Sequence, residues 1–134
     1  MVSVKVVNAS KKFDGKKVLD NVTFEVKDGS FTSILGPVGA GKTTLLRIIA
    51  GVEFPDNGSI YFGDKDVTMM PAKERNVAMV YQTFELYPRM RIFDNIAFAA
   101  GHKGILKTEI EKRVKEVTEL LKNRSSIIKI SKRA

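Results

Sequence analysis

The residues with the clearest chemical potential form the segment GPVGAGKT at positions 36–43. Its spacing fits G-x-x-x-x-G-K-[ST], a pattern whose glycines let successive backbone N–H groups approach phosphate oxygens. The lysine that follows the last glycine can neutralise phosphate charge, and the next hydroxyl can bind Mg²⁺. The pattern predicts a phosphate-binding loop. The competing interpretation is a glycine-rich turn that happens to precede a helix.

The elements on either side of this segment are those that the motif requires. Residues 31–35 (FTSIL) predict a strand, and residues 42–50 (KTTLLRIIA) predict a helix that Gly51 ends. A helix that begins at the loop directs its positive end at a bound anion. Strand, loop and helix together indicate a P-loop nucleotide-binding protein, but they leave its class open.

The first part of the chain is predicted to consist mainly of strands. Residues 4–6 and 22–26 alternate apolar and polar side chains, which is typical of half-buried strands. Residues 59–62 predict a further strand. Residues 77–81 (VAMVY) form a compact apolar run of the kind expected of a buried strand, and Gln82 follows it.

Beyond residue 82 the pattern becomes helical. Residues 92–100 are apolar and rich in alanine, and a glycine follows them. Residues 108–121 predict a second helix, in which Thr108 and Glu111 have the spacing of a capping box. The order along the chain is strands first, then one strand–loop–helix unit, then helices. The strand–loop–helix unit indicates the α/β fold of P-loop proteins.

The composition excludes several classes of protein. The 134 residues suit one domain, no apolar run is long enough to cross a bilayer, and the absence of cysteine excludes disulfides and thiolate zinc sites. The net charge of +8 would suit a nucleic-acid binder, but five of the 23 basic residues lie in residues 122–134, which contain no acid. The aromatic residues do not alternate with basic ones, so specific nucleic-acid binding is not predicted.

The sequence around the loop resembles the ATP-binding subunit of ABC transporters. The resemblance is carried by residues 11–51 and by residues 76–98, which read NVAMVYQTFELYPRMRIFDNIAF. The stretch YFGDKDVTMMPAKERNVAMVYQ is similar to importer subunits related to the maltose ATPase. The resemblance implies an ABC-type P-loop NTPase, with an N-terminal β-subdomain, the phosphate-loop strand and helix, and the start of a helical subdomain after about residue 83.

The resemblance also implies roles for individual residues. Phe13 stands where the family places an aromatic ring that stacks on adenine, and a core phenylalanine at a strand end is the alternative. Gln82 stands where a glutamine reaches Mg²⁺ and the attacking water, so Thr43 and Gln82 are the implied metal-binding residues. The implied phosphate-binding residues are Gly36, Pro37, Val38, Gly39, Ala40, Gly41, Lys42, Thr43 and Thr44.

Partners and a location follow from the same resemblance. Residues 83–96 would face the transmembrane permease subunit, and ATPase subunits of the family work as pairs. Intact relatives use ATP and Mg²⁺ to drive uptake of a sugar or a similar small solute. They do so in the cytoplasm, as peripheral subunits on the inner face of the membrane.

Three features of the family are missing from this sequence. No Gly-Gly pair exists for a Leu-Ser-Gly-Gly-Gln signature, and no Asp-Glu pair follows an apolar strand. His102, the only histidine, lies before the region of the family's catalytic histidine. Residues 1–121 are therefore expected to form an incomplete nucleotide-binding domain that does not hydrolyse ATP. Residues 122–134 are expected to be a basic tail left by an early stop or a shifted reading frame, and a basic anchor for acidic lipid head groups is the alternative.

Two other functions remain open. One is a non-catalytic docking module that associates with a transporter or an intact ATPase subunit through residues 83–96. The other is a small P-loop enzyme such as a kinase, which the lack of a second acidic metal ligand after a strand disfavours. Asp64 and Asp66 are interpreted as part of a hairpin loop in preference to a metal site.

Overall fold

The computed structural model describes residues 2–83, 86–101 and 104–121. The chain divides into two compact units, Met1–Met79 and Val80–Ala134. The expectations for His102 and for the tail at 122–134 concern residues outside the described ranges.

An antiparallel sheet is the framework of the first unit. Among the described residues its strands are β1 (Val4–Phe13), β2 (Lys16–Val26), β3 (Asn57–Phe62) and β4 (Lys65–Asp66), in the order β2-β1-β3-β4. Asp14 and Gly15 join β1 to β2 with φ angles of 48° and 79°, the geometry of a tight hairpin turn that matches the strand twist. Asp64 lies in the turn between β3 and β4, so the hairpin interpretation is confirmed.

Helix α1 (Lys42–Ala50) contributes to the core of this unit. The N–H of Gly51 donates to Ile48 O and that of Val52 to Arg47 O, at 3.1 and 3.0 Å, while Gly51 has a φ of 75°. This left-handed cap ends the helix at the predicted residue. The buried apolar cluster joins the sheet to the helix through Val6, Ala9, Leu19, Leu45, Ile48, Ile60 and Val67.

Two predictions of strands were wrong. Residues 31–35 and 77–81 are outside regular secondary structure, and no described strand pairs with them. Phe31 and Leu35 are 95% and 90% exposed, and within this segment Ile34 packs against the core. An apolar run becomes a strand only where a neighbouring strand supplies hydrogen-bond partners for its backbone. Neither segment has such a neighbour among the described residues.

The remaining elements are helices. After the short α2 (Ala72–Arg75), the second unit contains α3 (Ile92–Gly101) and α4 (Lys107–Leu120). The predicted helix over 92–100 is confirmed. The capping box was wrong, because α4 starts after Leu106 without a side-chain cap and Thr108 lies inside its first turn. No helix within the described ranges is both long and apolar enough to cross a membrane.

Candidate functional site

The predicted phosphate loop runs from Gly36 to the first turn of α1. Gly39 and Gly41 have φ angles of 84° and 83°, a backbone conformation that costs an L-residue about 1–2 kcal/mol. Gly41 is the N-terminal cap of α1, and the first turn of that helix contains no acidic residue. The positive end of α1 therefore meets the loop with no carboxylate from its own first turn to compete for it.

Close packing against β2 holds the last glycine of the loop in place. A Cβ added at Gly41 would lie 2.7 Å from Val18 O and 2.9 Å from a methyl carbon of Leu19. A Cβ at Gly39 would have no neighbour within 4 Å. The two glycines thus serve different needs, because both supply a left-handed backbone but only Gly41 also permits close contact with the sheet.

Lys42 folds back over the loop. Its ammonium group donates to Gly36 O at 2.8 Å and to Pro37 O at 2.7 Å. These carbonyls are neutral acceptors, so a phosphate oxygen would bind the same ammonium more strongly. Thr43, the next residue, is exposed in the first turn of α1, and its assignment to a metal ion stays a prediction.

Phe13 lies at the end of β1 and is 42% exposed, which argues against a core role. Its register partner on β2 is Lys16. Val18, which contacts Gly41, is two residues further along the same strand, a distance of about 7 Å at the usual strand rise. The structure therefore brings Phe13 and the phosphate loop to the same end of the β1–β2 hairpin.

Gln82 belongs to the second unit and is exposed on an irregular segment. Its assignment to a metal ion and a water stays a prediction. Within the segment predicted to dock on a permease, residues 86–91 are attached to α3 by Asn95. The side-chain carbonyl of Asn95 accepts from Tyr87 N–H at 2.8 Å, and its amide donates to the backbone carbonyls of Tyr87, Met90 and Arg91.

Comparison with protein families decides what kind of chain carries this loop. The model of the family described as ABC transporter matches residues 19–133. The chain belongs to the ABC transporter family. The matched range includes the loop, α1 and all of the second unit's described helices, and it continues to residue 133, beyond the domain boundary predicted at residue 121.

Curated relatives of this ABC transporter chain are ATP-binding proteins of import systems. It is 44% identical over 119 residues to the spermidine/putrescine import ATP-binding protein PotA of Vibrio parahaemolyticus, covering 89% of this chain and 32% of the relative. It is 46% identical over 127 residues to the trehalose/maltose import ATP-binding protein MalK of Thermococcus litoralis, covering 90% and 34%. The chain thus spans about a third of the length of these relatives.

Solved structures show the same fold. The ATP-binding cassette MJ0796, a dimer in a post-hydrolysis state bound to ADP and Pi, matches 98% of this chain with a TM-score of 0.81 and 28% identity. The matched part is 63% of that cassette. The ATP-binding cassette MJ1267 matches 97% of the chain with a TM-score of 0.77 and 25% identity. The fold is therefore that of an ABC-type P-loop NTPase, mixed α/β with an N-terminal antiparallel sheet.

One residue of this ABC fold that the sequence patterns did not single out is Arg75. It is 4% exposed and hydrogen-bonded to four backbone carbonyls. Two of them, Ile48 O and Ile49 O, are in the last turn of α1, at 2.8 and 2.9 Å. Burial lowers the pKa of Arg75, and the charge of Asp66 opposes that shift. Nothing in the run PAKERN distinguishes Arg75 from its exposed neighbour Lys73, so no local signal could have found it.

A second unpredicted feature is the ion cluster that joins β1 to the loop after α1. The ammonium of Lys11 lies 2.9 Å from Glu53 Oε1 and 3.2 Å from Asp56 Oδ1, and it donates to Phe54 O at 2.8 Å. Hydrogen bonding to Glu53 raises the pKa of Lys11, and the bond from Lys11 lowers the pKa of Glu53. The pKa of Asp56 is lowered first by the backbone N–H of Lys12 and then by Lys11.

This cluster should make the stability of the protein acid-sensitive. The folded state lowers the pKa of Glu53 below 4.5 and that of Asp56 below 3.8. Above those pH values the two carboxylates therefore contribute fully to the free energy of unfolding. This contribution is lost as the pH falls through the lowered pKa values that the two carboxylates have in the folded state. A Glu53→Gln/Asp56→Asn variant should therefore be less stable than the wild type at about pH 6, with a smaller difference at about pH 3.

Urea unfolding of both proteins at the two pH values measures this difference. The matched control is Asp20→Asn, since Asp20 forms an exposed pair with Lys17 on β2. An equal loss of stability at both pH values would show that the contribution of these two side chains to stability does not depend on their negative charge.

Proposed function

We propose that this chain is the nucleotide-binding part of an ATP-binding subunit of an ABC importer. The observation that carries the proposal is the loop at residues 36–44, which presents a left-handed glycine backbone, a free helix N-terminus and the Lys42 ammonium at one place. That combination suits a chain of phosphates better than any other ligand class. The family membership and the import relatives support the same function.

Each residue of the site has a proposed task. Lys42 leaves the carbonyls of the loop and binds the β- and γ-phosphates of ATP, while the backbone N–H groups of residues 36–44 bind phosphate oxygens. Thr43 and Gln82 hold Mg²⁺, which offsets phosphate charge when it is bound. The open ring surface of Phe13 stacks on adenine.

The partners and the solute are proposed at the level that the relatives support. PotA and MalK are named for the import of spermidine/putrescine and of trehalose/maltose, so the solute is a small organic molecule such as a sugar or a polyamine. We propose that residues 83–96 dock on a transmembrane permease at the cytoplasmic face of the membrane. Pairing with a second ATPase subunit is proposed because the cassette MJ0796 is a dimer.

Titration with a fluorescent ATP analogue in the presence of Mg²⁺ tests the proposal. The Lys42→Ala variant should bind at least about tenfold more weakly than the wild type, since a charge-assisted hydrogen bond contributes about 1.5–3 kcal/mol. Lys65→Ala is the control, because Lys65 is exposed on β4 and lies outside the loop. Equal affinity of the wild type and Lys42→Ala would refute nucleotide binding at this loop.

A further inference from the structure

The ring of Phe13 is in contact with a cation. The ammonium of Lys11 lies over the ring, 5.3 Å from its centroid, which is within the range of a cation–π interaction. Lys11 and Phe13 are two positions apart on β1, so both side chains project from the same region of the strand. Because Phe13 remains 42% exposed, the contact leaves part of the ring surface open to a ligand.

The cation itself is held firmly. An ammonium group has three N–H donors, and Lys11 has three oxygen partners: Glu53 Oε1, Asp56 Oδ1 and Phe54 O. Its side chain is only 12% exposed. A lysine with all its donors used by fixed partners has little freedom to change rotamer, so it can act as a rigid support for the ring.

The partners of Lys11 connect that support to the nucleotide loop. Glu53 and Phe54 lie two and three residues after Gly51, the cap of α1, and the N–H of Glu53 donates to Arg47 O at 3.2 Å. Asp56 is also bound to β1, since its N–H donates to Ser10 O and its carboxylate accepts from Lys12 N–H. These contacts thus fix the position of Lys11 relative to α1, the helix that begins at the predicted phosphate loop.

We propose that Lys11 is a positioning residue for the nucleobase: it fixes the ring plane of Phe13 on which the base stacks. This inference rests on the proposed function. An exposed phenylalanine without such a support would lose side-chain freedom when a base stacks on it, and that loss weakens binding. Lys11 reduces this cost by ordering the ring before the nucleotide arrives.

The test compares two ligands that would both bind the phosphate loop, of which only one carries a base. Binding of ATP and of inorganic tripolyphosphate, each with Mg²⁺, is measured for the full chain of the wild type, Lys11→Met, Phe13→Ala and the double variant. Lys11→Met should weaken ATP binding about two- to fivefold, the range of a partly exposed cation–π contact, and leave tripolyphosphate binding unchanged. Phe13→Ala should weaken ATP binding about fivefold or more, and adding Lys11→Met to it should cause no further loss.

Each other result has a definite meaning. Equal weakening of ATP and tripolyphosphate by Lys11→Met would show that Lys11 merely supports the loop after α1, and unchanged ATP binding would refute its role altogether. Lys11→Arg should lose less ATP affinity than Lys11→Met, because a guanidinium also makes a cation–π contact with the ring. If Lys11→Met does not fold, Glu53→Gln, which loosens Lys11, must weaken ATP selectively or the inference fails. Failure of the wild type to bind either ligand would overturn the proposed function and this inference together.

Discussion

Replacing Arg75 by methionine is expected to lower the free energy of unfolding by about 4 kcal/mol, a large part of the usual stability of a small domain. The buried guanidinium donates to Met70 O, Ile48 O, Ile49 O and Thr68 O at 2.6–2.9 Å. Methionine fills a similar volume but donates no hydrogen bond. The substitution therefore removes a donor from four carbonyls. Ile48 O keeps the N–H of Gly51, and each of the other three costs about 1–3 kcal/mol if it is left without a partner and water cannot reach it.

The arrangement around Arg75 makes compensation difficult. The helix-capping Gly51 is so close that a Cβ there would lie 2.5 Å from Arg75 Nε, and Gly51 O itself accepts from Ala72 N–H at 3.1 Å. Arg75→Lys should also be destabilising, because one ammonium cannot replace a planar fork that serves four acceptors.

Urea denaturation followed by circular dichroism measures this effect. Arg113→Met is the matched control, since Arg113 is an exposed arginine that pairs with Glu109 at 2.7 Å on α4 and should change stability by less than about 0.5 kcal/mol. If Arg75→Met and Arg113→Met had similar stabilities, the four carbonyl contacts would not be needed to hold α1 against the segment at 68–70.

The second large effect is expected at Gly41. Gly41→Ala should destabilise the protein by about 3 kcal/mol, because the new methyl group would add steric overlap to backbone strain. Its Cβ would meet Val18 O at 2.7 Å and Leu19 Cδ2 at 2.9 Å, and the φ of 83° is unfavourable for alanine. Relief of the overlap requires the start of α1 to move away from β2, which should also weaken nucleotide binding.

The variant Gly39→Ala separates the effect of backbone strain from the effect of steric overlap. Gly39 has nearly the same φ, 84°, but a Cβ there has open space around it, so the cost should be about 1–2 kcal/mol from strain alone. Thermal unfolding of the two variants beside the wild type gives the comparison. Equal losses of stability would mean that the contact between Gly41 and β2 adds nothing to the strain.

Features that depend on neighbouring residues in the chain were predictable from the sequence. The helix at 42–50 and its stop at Gly51 follow from apolar spacing and from the glycine that adopts a left-handed cap. The left-handed backbone at Gly39 and Gly41 follows from the fixed glycine positions of the loop, and the helix at 92–100 follows from its composition. For the loop, the structure adds the reason that Gly41 is needed, which is the approach of β2 from more than twenty positions earlier.

Features that depend on distant residues were not predictable. The apolar runs at 31–35 and 77–81 indicate strands, yet a run cannot show whether another strand lies beside it. The acceptors of Arg75 in the last turn of α1 are 26 and 27 positions away, and the carboxylates of Glu53 and Asp56 are more than forty positions from Lys11. A charged side chain that is buried or fixed by such contacts looks like any surface lysine or arginine in the sequence.

The two edges that the described strands give the sheet have a consequence for self-association. One edge is β2, whose exposed charged residues and irregular register with β1 offer a poor template for another chain. The other is β4, which is only two residues long. Addition of a foreign strand is therefore unfavourable at either side, so amyloid-type growth would not start from this sheet. Any aggregation of this unit should instead begin at exposed apolar side chains such as Phe31 and Leu35.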